Sequence, residues 1–203
     1  VDAQLGPSYK TQLLTLPNFA TLAQDLQQTQ LLDPQKLFAS RKTIGNELAQ
    51  SLSEHWSKVY AQLHDGKAYH YDGESAGKRS LKNLALSYWS KTGHNSTDAW
   101  TAVYNQYHNS DNMTDRFAAL GIAVEYFYDQ AGSLISDFYQ RYDGEALVID
   151  KWFTVQAMRS SGDFAQMQQQ LHTLLAHPAF NLLNPNRMRS LIFAFCNMNP
   201  HHF

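Results

Sequence analysis

Apolar residues recur at three- and four-residue steps along most of the chain, which is the spacing of amphipathic α-helices. The longest run follows Asp33 and Pro34, a helix N-cap and a first-turn proline. It predicts one helix of roughly 30 residues, or ~45 Å. Its apolar positions are Leu37, Phe38, Ile44, Leu48, Leu52, Trp56, Val59, Tyr60 and Leu63. No alternation of period two, the pattern of strands, competes with this reading.

Beyond Gly77 the apolar stripes shorten and their starts follow each other at intervals of about 15 to 20 residues. Helix pairs therefore recur every ~35–45 residues, the scale of helical-repeat proteins. The pattern predicts an all-α fold of stacked antiparallel helix pairs, an ARM/HEAT-like superhelical array that is truncated. We interpret residues 1–203 as one helical domain. The glycine-rich stretch HDGKAYHYDGESAG (64–77) is the most loop-like segment and a candidate sub-boundary.

Composition and charge limit the function classes. Hydrophobic residues make up 43% of the chain, and 16 Lys and Arg oppose 18 Asp and Glu, which is typical of a globular protein with formal net charge −2. This balance offers no positive surface for nucleic acid or an anionic membrane, so we expect neither as a partner. No signal peptide pattern opens the chain, which favours a cytoplasmic location. Cys196 is the only cysteine, which excludes an internal disulfide and a thiolate metal cluster.

The chain carries no catalytic motif that stands alone. It contains no H-E-x-x-H zinc motif, no G-x-S-x-G nucleophile motif and no glycine-rich phosphate loop. His64 and His70 flank the 64–77 stretch together with Asp65 and Asp72, where a metal site is conceivable and a solvated loop is the favoured reading. We therefore expect no catalytic residue, no metal ligand and no cofactor in this chain.

The segment NPNRMRSLIFAF (184–195) combines an apolar helix with two arginines. Asn184 caps it and Pro185 occupies its first turn. At roughly 100° per residue, one face is predicted to pack into the protein; it consists of Met188, Leu191, Ile192 and Phe195. Arg189 shares a roughly opposite face with Asn186 and Phe193, which suits a lined cavity or an interface. Arg187 lies at the flank beside Ser190, where we expect it to pair with a neighbouring helix or with water. Salt bridges between helices remain the alternative reading for both arginines.

Three further charged segments have structural explanations. In Asp150-Lys151-Trp152-Phe153 we expect the aromatic residues in the core and the charged ones in structural pairs. Asn112 is expected to cap a helix, with a substrate contact as the alternative. Arg79 and Lys82 are expected on a solvated face or paired with acidic neighbours.

Four segments, in order along the chain, resemble one protein family. They are GKRSLKN (77–83), DNMTDRFAAL (111–120), LVIDKWF (147–153) and HPAFNLLNPNRMRSL (177–191). Together they are similar to the helical C-terminal domain of bacterial alanyl aminopeptidases, the aminopeptidase N family of zinc metallopeptidases. Asn18 departs from this pattern, because many relatives carry Ser-Glu there.

The resemblance implies that the chain is part of a larger zinc aminopeptidase that removes N-terminal residues from peptides. In that family an earlier domain carries the zinc and the catalytic groups, and the helical domain closes the catalytic chamber and controls peptide access. The second arginine of NPNRMRS, Arg189, would project into the chamber, so we expect Arg189, Asn186, Phe193 and Arg187 to contact the substrate. The partners would be peptides and the catalytic domain of the same polypeptide, and the 203 residues alone would be inactive. The alternative is a non-enzymatic helical-repeat scaffold that binds a protein partner.

Overall fold

The computed structural model describes residues 4–29, 31–66, 68–92 and 96–203, and every regular element within these ranges is helical. The all-α prediction is confirmed. The elements are α1 (Pro7–Leu14), α2 (Phe19–Gln27), α3 (Pro34–Ser51), α4 (Ser53–Leu63), α5 (Gly73–Thr92), α6 (Thr97–Asn109), α7 (Met113–Tyr126), α8 (Tyr128–Arg141), α9 (Ala146–Ala157), α10 (Phe164–Leu175), α11 (Pro185–Met188), a π-helical turn (Arg189–Phe193) and α12 (Ala194–Met198). No helix among the described residues is long and apolar enough to cross a membrane.

The prediction of one long helix over 34–63 is wrong, because the helix breaks at Leu52. The start is as predicted, with Asp33 accepting a hydrogen bond from the Lys36 amide and Pro34 in the first turn. At the break the indole Nε1 of Trp56 donates to the carbonyl oxygen of Ala49 at 2.9 Å. The bend brings this ring into the core, where it is 2% exposed. A tertiary contact therefore overrides a continuous apolar stripe.

The stretch 64–77 is loop only in its first part. Its described residues up to Asp72 form no regular element, whereas α5 already begins at Gly73. The carboxylate of Asp72 accepts a hydrogen bond from the Ser75 amide at 2.9 Å, which is a typical N-terminal cap.

The chain divides into two compact units, Val1–Tyr126 and Phe127–Phe203. Residues 64–77 belong to the first unit, where α4 and α5 pack against each other. A sub-boundary at this loop stays a prediction.

In the first unit α5 is the central helix and packs against α1, α3, α4, α6 and α7. Its buried apolar residues are Leu81, Ala85, Leu86 and Tyr88. α1 crosses very closely at Gly77, where an added Cβ would lie 2.3 Å from Ser8 Oγ and 3.1 Å from the Ser8 amide nitrogen. The glycine of the GKRSLKN segment therefore permits this helix crossing.

In the second unit α9 is the central helix and packs against α8, α11, the π-turn and α12. Trp152 and Phe153 are 6% and 0% exposed, so their predicted place in the core is confirmed. The indole Nε1 of Trp152 donates to the carbonyl oxygen of Ile135 on α8 at 2.9 Å. α9 thus anchors both its preceding neighbour and the segment that carries the two arginines.

Candidate functional site

The segment 184–198 forms one helical run, which we call the arginine helix. Its start is fixed as predicted: Asn184 Oδ1 accepts hydrogen bonds from the amides of Asn186 and Arg187, at 3.0 and 3.3 Å. Pro185, which has no amide hydrogen, occupies the first turn at no cost in backbone bonds. The cap therefore sets where the arginines enter the helix.

A π-turn interrupts the arginine helix from Arg189 to Phe193. The Ala194 amide donates to the carbonyl oxygen of Arg189, five residues earlier rather than four. The buried face of the arginine helix differs from the predicted apolar stripe, although it too has regular helical spacing. The buried residues are Arg187, Ser190, Leu191 and Ala194, whereas Met188, Ile192 and Phe195 are only half-buried.

Arg187 lies inside the second unit, 6% exposed, and pairs with a neighbouring helix, which is one of the two outcomes expected for it. Its Nε is 3.1 Å from Asp150 Oδ1, and its guanidinium carbon lies 5.0 Å from the ring centre of Phe153. Asp150 Oδ1 makes no hydrogen bond, so its contact with Arg187 is a pairing of opposite charges. The predicted structural pairing of Asp150 is confirmed. Substrate binding by Arg187 stays a prediction.

Arg189, two residues further on, is exposed, and so are Asn186 and Phe193. Phe193 is 51% exposed. Within the described residues no acidic group forms an ion pair with Arg189. All three side chains of the predicted face are therefore exposed, as expected for positions away from the packed face. Their contact with a substrate stays a prediction.

His177 is a half-buried ring in an aromatic cluster that the sequence reasoning missed. Its ring lies 4.8 Å from that of Tyr139, 5.0 Å from that of Trp152 and 5.8 Å from that of Phe153, measured between ring centres. Its Nδ1 accepts a hydrogen bond from the Ala179 amide at 3.1 Å, which places the proton of the neutral ring on Nε2. Burial and the charge of Arg187 lower the pKa of His177. The sequence signal for this ring was its place at the start of the family-like segment HPAFNLLNPNRMRSL (177–191).

The first unit contains a second candidate site, a cavity of about 680 Å³. It lies between the loop after α4, the first half of α5 and the α6–α7 junction. The four residues considered for a metal site, His64, Asp65, His70 and Asp72, are among those that line it. No group of three or more metal-ligating side chains forms within the described ranges, either here or elsewhere.

Lys82 and Asp115 form a buried ion pair at the edge of this cavity. Lys82 Nζ is 2.7 Å from Asp115 Oδ2, and the two residues are 7% and 4% exposed. Asp115 also accepts hydrogen bonds from Asn83 Nδ2 at 2.9 Å and from Asn112 Nδ2 at 3.2 Å. Gln106 extends the network by donating to Asn83 Oδ1 at 2.8 Å. The GKRSLKN and DNMTDRFAAL segments therefore meet in one buried polar network.

This network confirms two structural predictions. Lys82 pairs with an acidic neighbour, and Asn112 caps α7 by accepting a hydrogen bond from the Asp115 amide at 2.9 Å. A substrate contact from Asn112 stays a prediction. Because the Asp115 carboxylate is saturated by three side-chain donors, the arrangement joins helices rather than offering a free reactive group.

The loop that covers the cavity is held by Arg79 and Asp111. Arg79 Nη1 donates to the carbonyl oxygen of His70 at 3.0 Å, and its guanidinium lies 4.6 Å from the Tyr69 ring centre. The Tyr69 amide donates to Asp111 Oδ2 at 2.7 Å, which lowers the pKa of this carboxyl group. Burial and the charge of Lys82 lower the pKa of His64. These contacts use the polar groups internally, so the exposed face of the arginine helix is the better candidate for binding.

Comparison with known proteins places the chain in a family. A family described as "Domain of unknown function (DUF3458_C) ARM repeats" matches residues 1–203. Aminopeptidase N of Haemophilus influenzae is 34% identical over 191 residues, which cover 93% of this chain and 20% of that protein. Aminopeptidase N of Escherichia coli is 30% identical over 203 residues, covering all of this chain and 22% of that protein. Aminopeptidase N of Caulobacter vibrioides is 29% identical over 203 residues, or 23% of its length.

A solved structure shares the fold. The crystal structure of Legionella pneumophila aminopeptidase A in complex with aspartic acid superposes with a TM-score of 0.81 and 24% identity, over 98% of this chain and 23% of that one. The chain thus spans about a fifth of the length of the curated relatives that it matches. The predicted ARM-like array and the predicted likeness to a helical domain of aminopeptidase N are confirmed. The chain belongs to the DUF3458_C family of ARM-repeat domains.

Proposed function

We propose that this chain is the C-terminal helical domain of a cytoplasmic zinc aminopeptidase that removes N-terminal residues from peptides. The observation that carries the proposal is the match of nearly the whole chain to three bacterial proteins named aminopeptidase N. In the proposed enzyme the helical domain walls the catalytic chamber and limits the substrates to peptides that can enter. Its partners are the peptide and the catalytic part of the same polypeptide.

The zinc of the proposed enzyme belongs to another part of the polypeptide. The described residues of this chain bring no three metal-ligating side chains together, and the cavity near His64 is stabilised by hydrogen bonds and ion pairs instead. The helical domain therefore contributes binding and enclosure and no bond-breaking group. The 203 residues alone are expected to hydrolyse no peptide, with or without added zinc.

Arg189 is the proposed peptide-binding residue, with Asn186 and Phe193 beside it on the exposed face. A guanidinium carries five N–H donors and binds carboxylates and carbonyl oxygens through charge-assisted hydrogen bonds. Arg189 makes no ion pair with the described residues, so its N–H donors are available to a peptide. Such a hydrogen bond contributes about 1.5–3 kcal/mol, which corresponds to a factor of about ten or more in affinity.

The test uses the full-length protein that carries this domain. Arg189→Ala is expected to raise KM about tenfold for an oligopeptide with a free C-terminal carboxylate, while KM for alanine p-nitroanilide, which has no C-terminal carboxylate, stays unchanged. Arg141→Ala is the charge-matched control, since Arg141 lies on α8 and pairs with Asp137 at 3.1 Å. Metal analysis of the purified protein checks the zinc.

Two results would reject the proposal. Equal changes for both substrates, or no change for either, would remove Arg189 from the chamber. A full-length protein without zinc and without peptidase activity would instead favour a scaffold that binds a protein partner.

A further inference from the structure

The hydroxyl group of Thr154 links α9 to the π-turn that carries Arg189. Thr154 Oγ1 lies 3.0 Å from the carbonyl oxygen of Ser190, the second residue of the π-turn. It also lies 3.0 Å from the carbonyl oxygen of Asp150 in its own helix. The single hydroxyl proton is therefore shared between an intrahelical acceptor and an acceptor on the arginine helix.

The contact belongs to a set made by one face of α9. Asp150, Phe153 and Thr154 stand at positions i, i+3 and i+4, which share a face of a helix. Asp150 pairs with the Arg187 side chain, and Phe153 lies beneath its guanidinium. Thr154 bonds to the backbone carbonyl group of Ser190, three residues after Arg187. α9 thus fixes the side chain before Arg189 and the backbone after it.

The hydrogen bond from Thr154 to Ser190 is important because its acceptor lies in the π-turn. π-helical turns are rare, occur mostly as single turns within α-helices, and are frequent at functional sites. Sharp local changes in a helix have identifiable causes, and one of them is a side chain that bonds into the backbone ladder. The Thr154 hydroxyl is such a side chain, and it comes from the neighbouring helix. Without it, the turn loses a hydrogen bond that favours the widened geometry over a regular α-helical one.

We infer that Thr154 is a positioning residue for Arg189: its hydroxyl holds the π-turn in the register that directs the Arg189 guanidinium outward. The inference rests on the proposed function, in which Arg189 binds the peptide. Asp150 holds Arg187 before Arg189, and Thr154 holds the Ser190 carbonyl group directly after it. Relaxation of the π-turn to a regular helix would change the backbone path from Arg189 to Ala194, and with it the orientation of the Arg189 side chain. The exposed arginine would keep its charge and lose its direction.

Matched variants of the full-length protein test the inference. Thr154→Val keeps the side-chain shape and removes the hydroxyl, whereas Thr154→Ser keeps the hydroxyl. Thr173→Val is the control, because among the described residues Thr173 Oγ1 bonds within its own helix, to the carbonyl oxygen of Gln169 at 3.0 Å. Thr154→Ala is the second hydroxyl-free variant if the valine variant does not fold.

Thr154→Val is expected to raise KM for the oligopeptide about two- to fivefold, the effect of one shared neutral hydrogen bond, with kcat for alanine p-nitroanilide unchanged. Thr154→Ser and Thr173→Val are expected to behave as wild type. In an Arg189→Ala background, Thr154→Val is expected to add nothing. An equal further loss in that background, or a serine variant as impaired as the valine variant, would overturn the inference.

Amide hydrogen exchange tests, independently of activity, whether the Thr154 hydroxyl stabilises the π-turn. Amides from Arg189 to Ala194 are expected to exchange faster in Thr154→Val and at the wild-type rate in Thr154→Ser. If Arg189→Ala leaves KM unchanged, the proposed function fails, and faster exchange in Thr154→Val alone still supports the role of the hydroxyl in the π-turn. Unchanged exchange in Thr154→Val would overturn the inference even where Arg189→Ala impairs binding.

Discussion

Replacing Asp115 by asparagine removes the counter-charge that lies 2.7 Å from the buried Lys82 ammonium group. The side chains are 9% and 6% exposed, so water cannot easily replace the lost partner. Removing one member of a buried ion pair costs about 3–5 kcal/mol, because the other charge stays buried and uncompensated. We expect Asp115→Asn and Lys82→Met each to destabilise the protein by about 3 kcal/mol or more.

The chain supplies a matched control at the same distance. Lys78 Nζ lies 2.7 Å from Glu74 Oε1, but these side chains are 40% and 73% exposed. Exposed pairs contribute about 0–1 kcal/mol, so Lys78→Met is expected to be nearly silent. The two pairs share the N···O distance, whereas Lys82–Asp115 is buried and joins two helices and Lys78–Glu74 is exposed within α5.

Urea unfolding followed by circular dichroism measures these differences. For a chain of this length, a loss of about 3 kcal/mol lowers Tm by roughly 6–12 °C. The double variant Lys82→Met/Asp115→Leu is expected to cost less than the sum of the single variants, since it leaves no buried charge unpaired. A cost below about 1 kcal/mol for Asp115→Asn, similar to that of Lys78→Met, would refute the reasoning.

Two further predictions follow from close packing and burial. Gly77→Ala should lower the free energy of unfolding by about 1–3 kcal/mol, because the added Cβ would clash with Ser8. Gly132→Ala on α8 should raise the free energy of unfolding by up to about 1 kcal/mol, because no atom lies within 4 Å of the added Cβ. Equal urea midpoints for the two variants would contradict this. The pKa of His177 is lowered from 6.5 in the folded protein by burial and Arg187, so the unfolded state binds more protons and stability should fall as the pH drops below about 6.5. Urea unfolding between pH 7.5 and 5 should show a shallower fall in His177→Gln, and an unchanged slope would argue against the neutral half-buried ring.

Local signals in the sequence were sufficient for the parts of the fold that local interactions decide. The caps at Asp33 and Asn184 were predicted correctly, since the hydrogen bonds that define them join residues two or three positions apart. The aromatic pair Trp152 and Phe153 was placed in the core by the apolar pattern. The exposed face of Arg189 was also predicted from helical spacing.

Tertiary contacts decided the remainder, and a single sequence does not reveal them. The depth of Arg187 depends on Asp150 and Phe153, which lie on another helix. The arginine helix buries the face of Arg187, Ser190, Leu191 and Ala194, which packs in the second unit around α9, and the apolar stripe of the sequence does not reveal that choice of face. Lys82 and Asp115 are separated by 33 residues, so their buried pairing could be anticipated only as a general tendency of charges to find partners.

The bend at Leu52 has a consequence for the order of assembly. Neither proline nor glycine stops α3, and the Trp56 indole that closes its end stacks on Tyr88 of α5, with ring centres 4.6 Å apart. The corner between α3 and α4 therefore depends on docking against a helix that is made later along the chain. The hydrogen bond from Trp56 to Ala49 lies within the α3–α4 segment, but the ring becomes buried only when Tyr88 packs on it, so the geometry of the N-terminal helices is completed by their C-terminal neighbour.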